Sequence, residues 1–220
     1  SLSSQRSCVL TPNAEWMVPE LKKRFGDIAQ VVSIPLGVDS RWFKIVRKPV
    51  STAPRKWLAI FRITKNKIGP LFTWGERLFT QDDELHLFGP MQEEVTLPPW
   101  VHYHGAVSPQ DLLEQWFPNA AGLITLSRHD EGRPQVILEA MASGMPVLAS
   151  RLPAHEGMIR HQDTGWLATS KQDFREGLSW LSDQANNERT GTAAREWILR
   201  NVGTWDDCAD RYIRAYQSVL

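Results

Sequence analysis

Six short, nearly continuous apolar runs, separated by longer stretches of helical periodicity, constrain this chain more than any other feature. They are 57–61 (WLAIF), 84–88 (ELHLF), 101–104 (VHYH), 121–125 (AGLIT), 146–149 (PVLA) and 166–168 (WLA). Runs of this length suit strands, and the intervals 70–79, 109–116, 134–143 and 153–160 read as helices. Parallel strands need a crossover, usually a helix, and strands buried on both faces lose the apolar–polar alternation. The expectation is therefore α/β, with a parallel sheet of about six strands and helices on both faces. Sheets of this kind bind ligands beyond the carboxyl ends of their strands.

The flanks follow other patterns. Residues 8–11 (CVLT) and 31–34 (VVSI) read as strands. Between them a helix is expected from Thr11-Pro12, with an apolar stripe Trp16, Val18, Leu21 and Phe25 that stops at Gly26. Residues 37–55 lack periodicity and hold Pro49 and Pro54, which predicts a linker. At the other end, 172–183 and 187–200 are helical, and Trp205, Ala209, Tyr212, Tyr216 and Val219 form a last stripe after Gly203.

Composition mainly excludes. Twenty-five basic residues balance twenty-five acidic ones among 220, which argues against a nucleic-acid partner. Two cysteines, Cys8 and Cys208, form neither a metal-ligand spacing nor a disulfide pattern, so no metal is implied and a reducing cytoplasm is the expected setting. No apolar run approaches the ~18 residues that span a bilayer. The tryptophans at 57, 74, 116, 166, 180 and 197 fall in or beside the expected elements, as core and rim packing. The chain begins at Ser1, and a fragment of a longer protein is expected.

The chemistry concentrates in 127–150, SRHDEGRPQVILEAMASGMPVLAS. A strand ends near Thr125, a polar loop follows, and a helix opens around Arg133-Pro134, where Pro suits an early helical position. The free N–H groups and dipole of that helix start favour an anion or sugar oxygens, and Gly132 permits close backbone approach. Glu139 is set among Val136, Ile137, Leu138, Ala140 and Met141, and Gln135 shares its face. A carboxylate in such surroundings suits a pair of vicinal hydroxyls, such as those of ribose. A solvated helix glutamate is the plain alternative. Glu131 complements the helix dipole and could equally hold sugar hydroxyls. His129 and Asp130 are adjacent polar loop residues, more simply solvated than paired. Arg62 and Lys67 follow the run 57–61 and could neutralise a diphosphate, whereas Lys65 reads as a solvated charge.

The run E-G-R-P-Q-V-I-L-E-A-M-A-S-G-M-P-V-L-A-S resembles the signature of the retaining glycosyltransferases called family four or group one, with their two-domain GT-B fold. Glu131 and Glu139 match its two glutamates. Residues 34–39 (IPLGVD), 104–113 (HGAVSPQDLL) and the ending W-x6-R-Y-x3-Y are similar to further family segments. The family's G-R-L-x-x-x-K-G is matched by Arg62 and Lys67, with Phe61 and Ile68 in place of its glycines, and Arg133 and Pro134 replace an aromatic and a glycine.

The resemblance implies the second half of a member. Residues 1–36 would be a strand–helix–strand remnant of the amino-terminal domain, 37–55 a linker, 56–204 a Rossmann-like nucleotide-sugar-binding domain and 205–220 the closing helix. It implies Arg62, Lys67 and Glu131 as catalytic residues, and Val107, Gly132, Arg133, Gln135, Val136 and Glu139 as donor contacts. The donor is a nucleotide diphosphate sugar acting as substrate, with no cofactor. The acceptor, a glycan, lipid or small molecule, would be bound mainly by the absent domain, which in the full-length protein would also carry any peripheral membrane contact. A non-catalytic nucleotide- or partner-binding module is the alternative; a nucleotide-sugar epimerase is a third reading, for which no convincing acid–base pair is found.

Overall fold

A computed structural model describes residues 8–50, 53–129 and 131–218. Val9–Leu10 (β1) and Gln30–Val31 (β2) pair in parallel, with the helix Val18–Phe25 (α1) between them. The helix expected from Thr11-Pro12 starts later, at a 3-10 turn over Glu15–Met17 that runs into α1, with Pro19 in the first turn. Pro12 instead extends the strand pairing, because its carbonyl accepts from the Ile34 N–H at 2.9 Å.

The main sheet holds Arg55–Ile60 (β3), Asp83–Phe88 (β4), Val101–Tyr103 (β5), Ala120–Thr125 (β6), Val147–Ser150 (β7) and Trp166–Ala168 (β8). Each strand coincides with one of the six apolar runs. The order is β5-β4-β3-β6-β7-β8, and every pairing is parallel. The chain winds outward from β3 one way, then restarts beside it at β6 and winds the other way. That reversal opens a crevice between β3 and β6, the switch point where doubly wound sheets bind ligands.

The crossovers carry Lys65–Ile68 (α2), Leu71–Gly75 (α3), Pro109–Asp111 (α4, continued by wider and tighter turns to Asn119), Gln135–Ala142 (α5) and Pro153–Glu156 (α6). Lys171–Ser182 (α7), Gln184–Asn201 (α8) and Trp205–Gln217 (α9) complete the chain. Side chains alternate along β3. Trp57 and Ala59 face a core shared with Leu71, Phe174 and Leu178, and Leu58 faces one shared with Ile137, Met141 and Ile198. Trp57 and Trp166 are buried, while Trp74, Trp116, Trp180 and Trp197 pack from the rim. No helix among the described residues is long and apolar enough to cross a membrane.

Two expectations need correction. The segment read as a linker is packed into the sheet's flank, with Trp42 4% exposed against Phe117 at a ring separation of 4.5 Å. Arg47 then reaches inward: Nη1 donates to Gly144 O at 2.7 Å and Asn187 Oδ1 at 3.0 Å, and Nη2 donates to Ala120 O at 2.7 Å and Ala121 O at 3.1 Å. Anchorage by one arginine on scattered carbonyls leaves no hydrophobic period to read. In α9 the packed stripe is Cys208, Tyr212 and Ala215 against Ile34, Val9 and Val32, whereas Trp205 and Tyr216 are 47% and 55% exposed. Cys208 and Ala215 make the buried part of the contact, flanked by Tyr212, and Arg211 also donates to Pro35 O at 3.0 Å. Val219 lies outside the described residues.

Candidate ligand site at the carboxyl edge of the sheet

The loop after β3 leads through Arg62 to α2, whose amino end is capped by Thr64 Oγ1 accepting from the Lys67 N–H at 3.2 Å. The cap fixes the turn that carries Lys67. Across the crevice, the loop after β6 is tied to this turn: the Arg128 N–H donates to Asn66 O at 2.8 Å. Gly69 makes the close approach possible. Its φ is +52°, and a Cβ there would lie 2.0 Å from the Leu126 carbonyl oxygen. Ile68, in the place of a family glycine, is only 5% exposed, and the backbone freedom comes one residue later. Gly69→Ala is therefore expected to destabilise the protein by about 2 kcal/mol, from left-handed strain plus the clash. Chemical denaturation measures this, and a loss below about 0.5 kcal/mol would show that the two loops can separate freely.

The stitched loops bring Lys67 and Glu131 together. Lys67 Nζ forms an ion pair with Glu131 Oε1, and both side chains are 17% exposed. These residues stand sixty-four positions apart in the sequence and meet only because β3 and β6 are neighbours. Beside them α5 begins. Pro134 is its N-cap and not its first helical residue, and no side chain caps this end. Backbone N–H groups there remain available to an anion.

At the first residue of α5, Gln135 Nε2 donates to Gly37 O at 2.9 Å, while its Oε1 is buried without a partner. Glu139 shares this face and is partly buried. Burial, followed by the charge of Asp39, raises its carboxyl to about 7. A carboxyl whose folded pKa is raised holds its proton more tightly folded than unfolded. Stability is then lost as pH climbs from the ordinary glutamate value of 4.5 through about 7. Glu139→Gln should accordingly stabilise by on the order of 2 kcal/mol at pH 8 and have little effect at pH 4. Urea titrations at the two pH values test this, and equal differences at both would contradict it.

The remaining expected residues are spread more widely. Gly132 lies against Asn13, whose Oδ1 would stand 2.3 Å from an added Cβ, and its carbonyl accepts from Trp16 Nε1 at 3.2 Å. Arg133 is partly buried and feels the charges of Arg211, in α9, and of Glu15. Burial first, then Arg211, lowers its pKa. Val136 and Val107 pack against the core beneath. Val107 sits beyond β5, in a loop that starts at His104; His104 Nε2 meets His86 Nδ1 at 2.9 Å, and His86 Nε2 meets Glu84 Oε2 at 3.0 Å. Arg62 is exposed, and among the described residues its side chain has no hydrogen bond or ion pair. Asp130 lies outside the described residues.

Sequence reasoning missed three participants. Asp39 approaches Glu139, and Asn13 approaches Gly132, through the packing of the amino-terminal unit on the crevice. His155, in α6, is 0% exposed and feels the charges of both Glu131 and Lys67. Its Nδ1 lies 2.7 Å from Ser150 O, and its Nε2 is buried without a partner. The available signal was the strand end at Ser150, since residues just past a parallel strand's carboxyl end border the ligand edge.

Comparison with known proteins agrees with the fold. Residues 72–184 match the family model described as "Glycosyl transferases group 1". A curated relative, glycosyltransferase 1 domain-containing protein 1 of Xenopus tropicalis, is 38% identical over 104 residues, covering 47% of this chain and 30% of the relative. The chain thus spans about a third of that protein's length. Among solved structures, a glycosyltransferase from Rickettsia africae superposes with a TM-score of 0.80 at 14% identity, over 98% of this chain and 64% of the other. Anabaena HepE in complex with UDP-glucose gives 0.75 at 15% identity, over 94% and 64%. At these identities the structural likeness establishes the fold.

Proposed function

This chain belongs to the group 1 glycosyl transferases, and on that premise we propose that it is the donor-binding part of a retaining glycosyltransferase. A nucleoside diphosphate sugar occupies the crevice between β3 and β6. The observation that carries this reading is the Lys67–Glu131 pair, set at the switch point beside the uncapped start of α5. An ammonium and a row of free N–H groups suit a diphosphate, and an adjacent carboxylate suits sugar hydroxyls.

In this reading Lys67 and Arg62 neutralise the departing diphosphate, and no divalent ion is assigned that task. The bond from the anomeric carbon to the phosphate oxygen breaks with its electron pair on the diphosphate. The acceptor hydroxyl oxygen bonds to the same face of the sugar, and its proton passes to the departing diphosphate. Glu131 orients the sugar, Glu139 accepts from the ribose hydroxyls, and backbone near Val107 meets the base. Arg133, which feels the charges of Arg211 and Glu15, is assigned with Gly132, Gln135 and Val136 to the donor contacts at the start of α5. The acceptor belongs to a part of the protein outside this chain, as does any peripheral contact with a membrane, and the working compartment is the cytoplasm.

A thermal-shift series with UDP, GDP and ADP tests the reading. UDP is the first probe because a similar fold is described with UDP-glucose bound. At least one nucleotide should raise the unfolding midpoint, and Arg62→Ala and Glu139→Ala should each reduce the rise. Indifference to all three nucleotides would remove the reading in favour of a partner-binding module.

A further inference from the structure

His155 has no task in the function just proposed, yet its surroundings give it one. The imidazole is completely buried. Its Nδ1 is 2.7 Å from the Ser150 carbonyl oxygen, which can only accept, so Nδ1 carries the proton. In the neutral ring that leaves Nε2 with a lone pair and no hydrogen, and this atom is buried with no partner. Leaving a buried acceptor empty is unfavourable, and native structures seldom do so without a reason. The charged groups acting on the ring are Glu131 and Lys67, the pair at the centre of the crevice. Of the two, only Lys67 can donate.

We propose that His155 is a positioning residue for Lys67. Its Nε2 lone pair accepts from the Lys67 ammonium when a ligand diphosphate draws that ammonium away from Glu131. The inference rests on the nucleotide-sugar reading. An ammonium carries three donors. In this structure one goes to Glu131. With a diphosphate present, Lys67 has to face phosphate oxygens, and its long stem needs a second fixed point to hold that direction. A carboxylate could supply the point only by cancelling the charge that the phosphate needs. A neutral imidazole orients the ammonium and leaves its charge intact. Burial is the largest influence on His155 and lowers its pKa, so the ring stays neutral. The Ser150 carbonyl lies on the last residue of β7 and fixes the tautomer. The sheet edge thereby sets both the position of the ring and the nitrogen left as the acceptor.

The test compares two replacements and one spectrum. His155→Asn keeps a donor near Nδ1 and offers nothing at Nε2. His155→Gln places an amide oxygen near Nε2. Calorimetry with UDP should show affinity about tenfold weaker for the Asn variant and within about threefold of wild type for the Gln variant. A purely structural role would not be rescued in that order. Nitrogen-15 spectra of the wild-type imidazole should show a protonated Nδ1 and a bare Nε2, whose resonance moves on adding UDP. Equal affinities for all three proteins, equal weakening by both variants, or a protonated Nε2 in the wild type would each overturn the assignment. Wild-type silence toward UDP, GDP and ADP alike would instead remove the nucleotide-sugar reading, and this inference with it.

Discussion

Lys67→Ala should weaken UDP binding about a hundredfold, whereas Glu131→Gln should tighten it several-fold. The asymmetry follows from their being paired with each other, at 17% exposure each. Truncating Lys67 removes a charge-assisted contact to phosphate, worth about 1.5–3 kcal/mol. It also leaves the Glu131 carboxylate facing the incoming diphosphate with nothing between them. The two effects act in the same direction, and about 2.7 kcal/mol corresponds to the hundredfold. In Glu131→Gln the competitor for the ammonium loses its charge while the volume of the side chain is kept. UDP then meets a free cation and no repulsion. A nucleotide sugar should gain less than UDP does, because the amide is a poorer acceptor for sugar hydroxyls than the carboxylate. Calorimetry with UDP and UDP-glucose reads all of these. Weaker UDP binding in both variants would show that the pair is a structural strut and not a ligand-operated contact.

The largest expected effect on stability lies elsewhere, at Arg47. Arg47→Ala should cost about 4 kcal/mol and lower the thermal midpoint by roughly 10 °C. Its guanidinium supplies donors to Gly144, Ala120 and Ala121 carbonyls and to Asn187 Oδ1. Burial, then the neighbouring Arg195, brings its pKa down to about 10, so it remains charged at neutral pH. Removing it strands several buried acceptors at once, and Asn187 Nδ2, which shares the Ala121 carbonyl, is disturbed too. Arg47→Lys should restore little, since a single ammonium cannot replace a planar fork reaching acceptors on three segments. Urea denaturation checks this. A cost under about 1 kcal/mol would mean that water reaches these carbonyls.

The residues that were easy and hard to read in the sequence differ for physical reasons. Leu85, Leu123 and Leu148 sit in strands buried on both sides, which forces runs of apolar residues, so the strands announce themselves. The short α2 does not. It is four residues long, little more than one turn, and depends on Thr64 for its cap, whereas the equally short α6 falls inside the expected 153–160. Glu139 stood out because a carboxylate is costly in an apolar stretch, and the raised pKa expresses that cost. Arg62 and Lys67 were read as equivalent because both follow one strand. The structure separates them: Lys67 is partly buried against Glu131, while Arg62 lies open to solvent. His155 left almost no trace, since a lone histidine five residues past a strand looks like any loop residue until Ser150 and the crevice are placed around it. Arg133 was legible from its place in the signature, but the charges of Arg211 and Glu15 that act on it come from segments far away in sequence.

A crystal structure of this protein soaked with UDP puts the central claim to its most direct test. The diphosphate should lie between Lys67 and the first turn of α5, with Lys67 drawn off Glu131 and the ribose hydroxyls within hydrogen-bonding distance of Glu139. Nucleotide bound instead in the groove lined by Arg47, Gly144 and Arg195, with the Lys67–Glu131 pair undisturbed, would contradict the account.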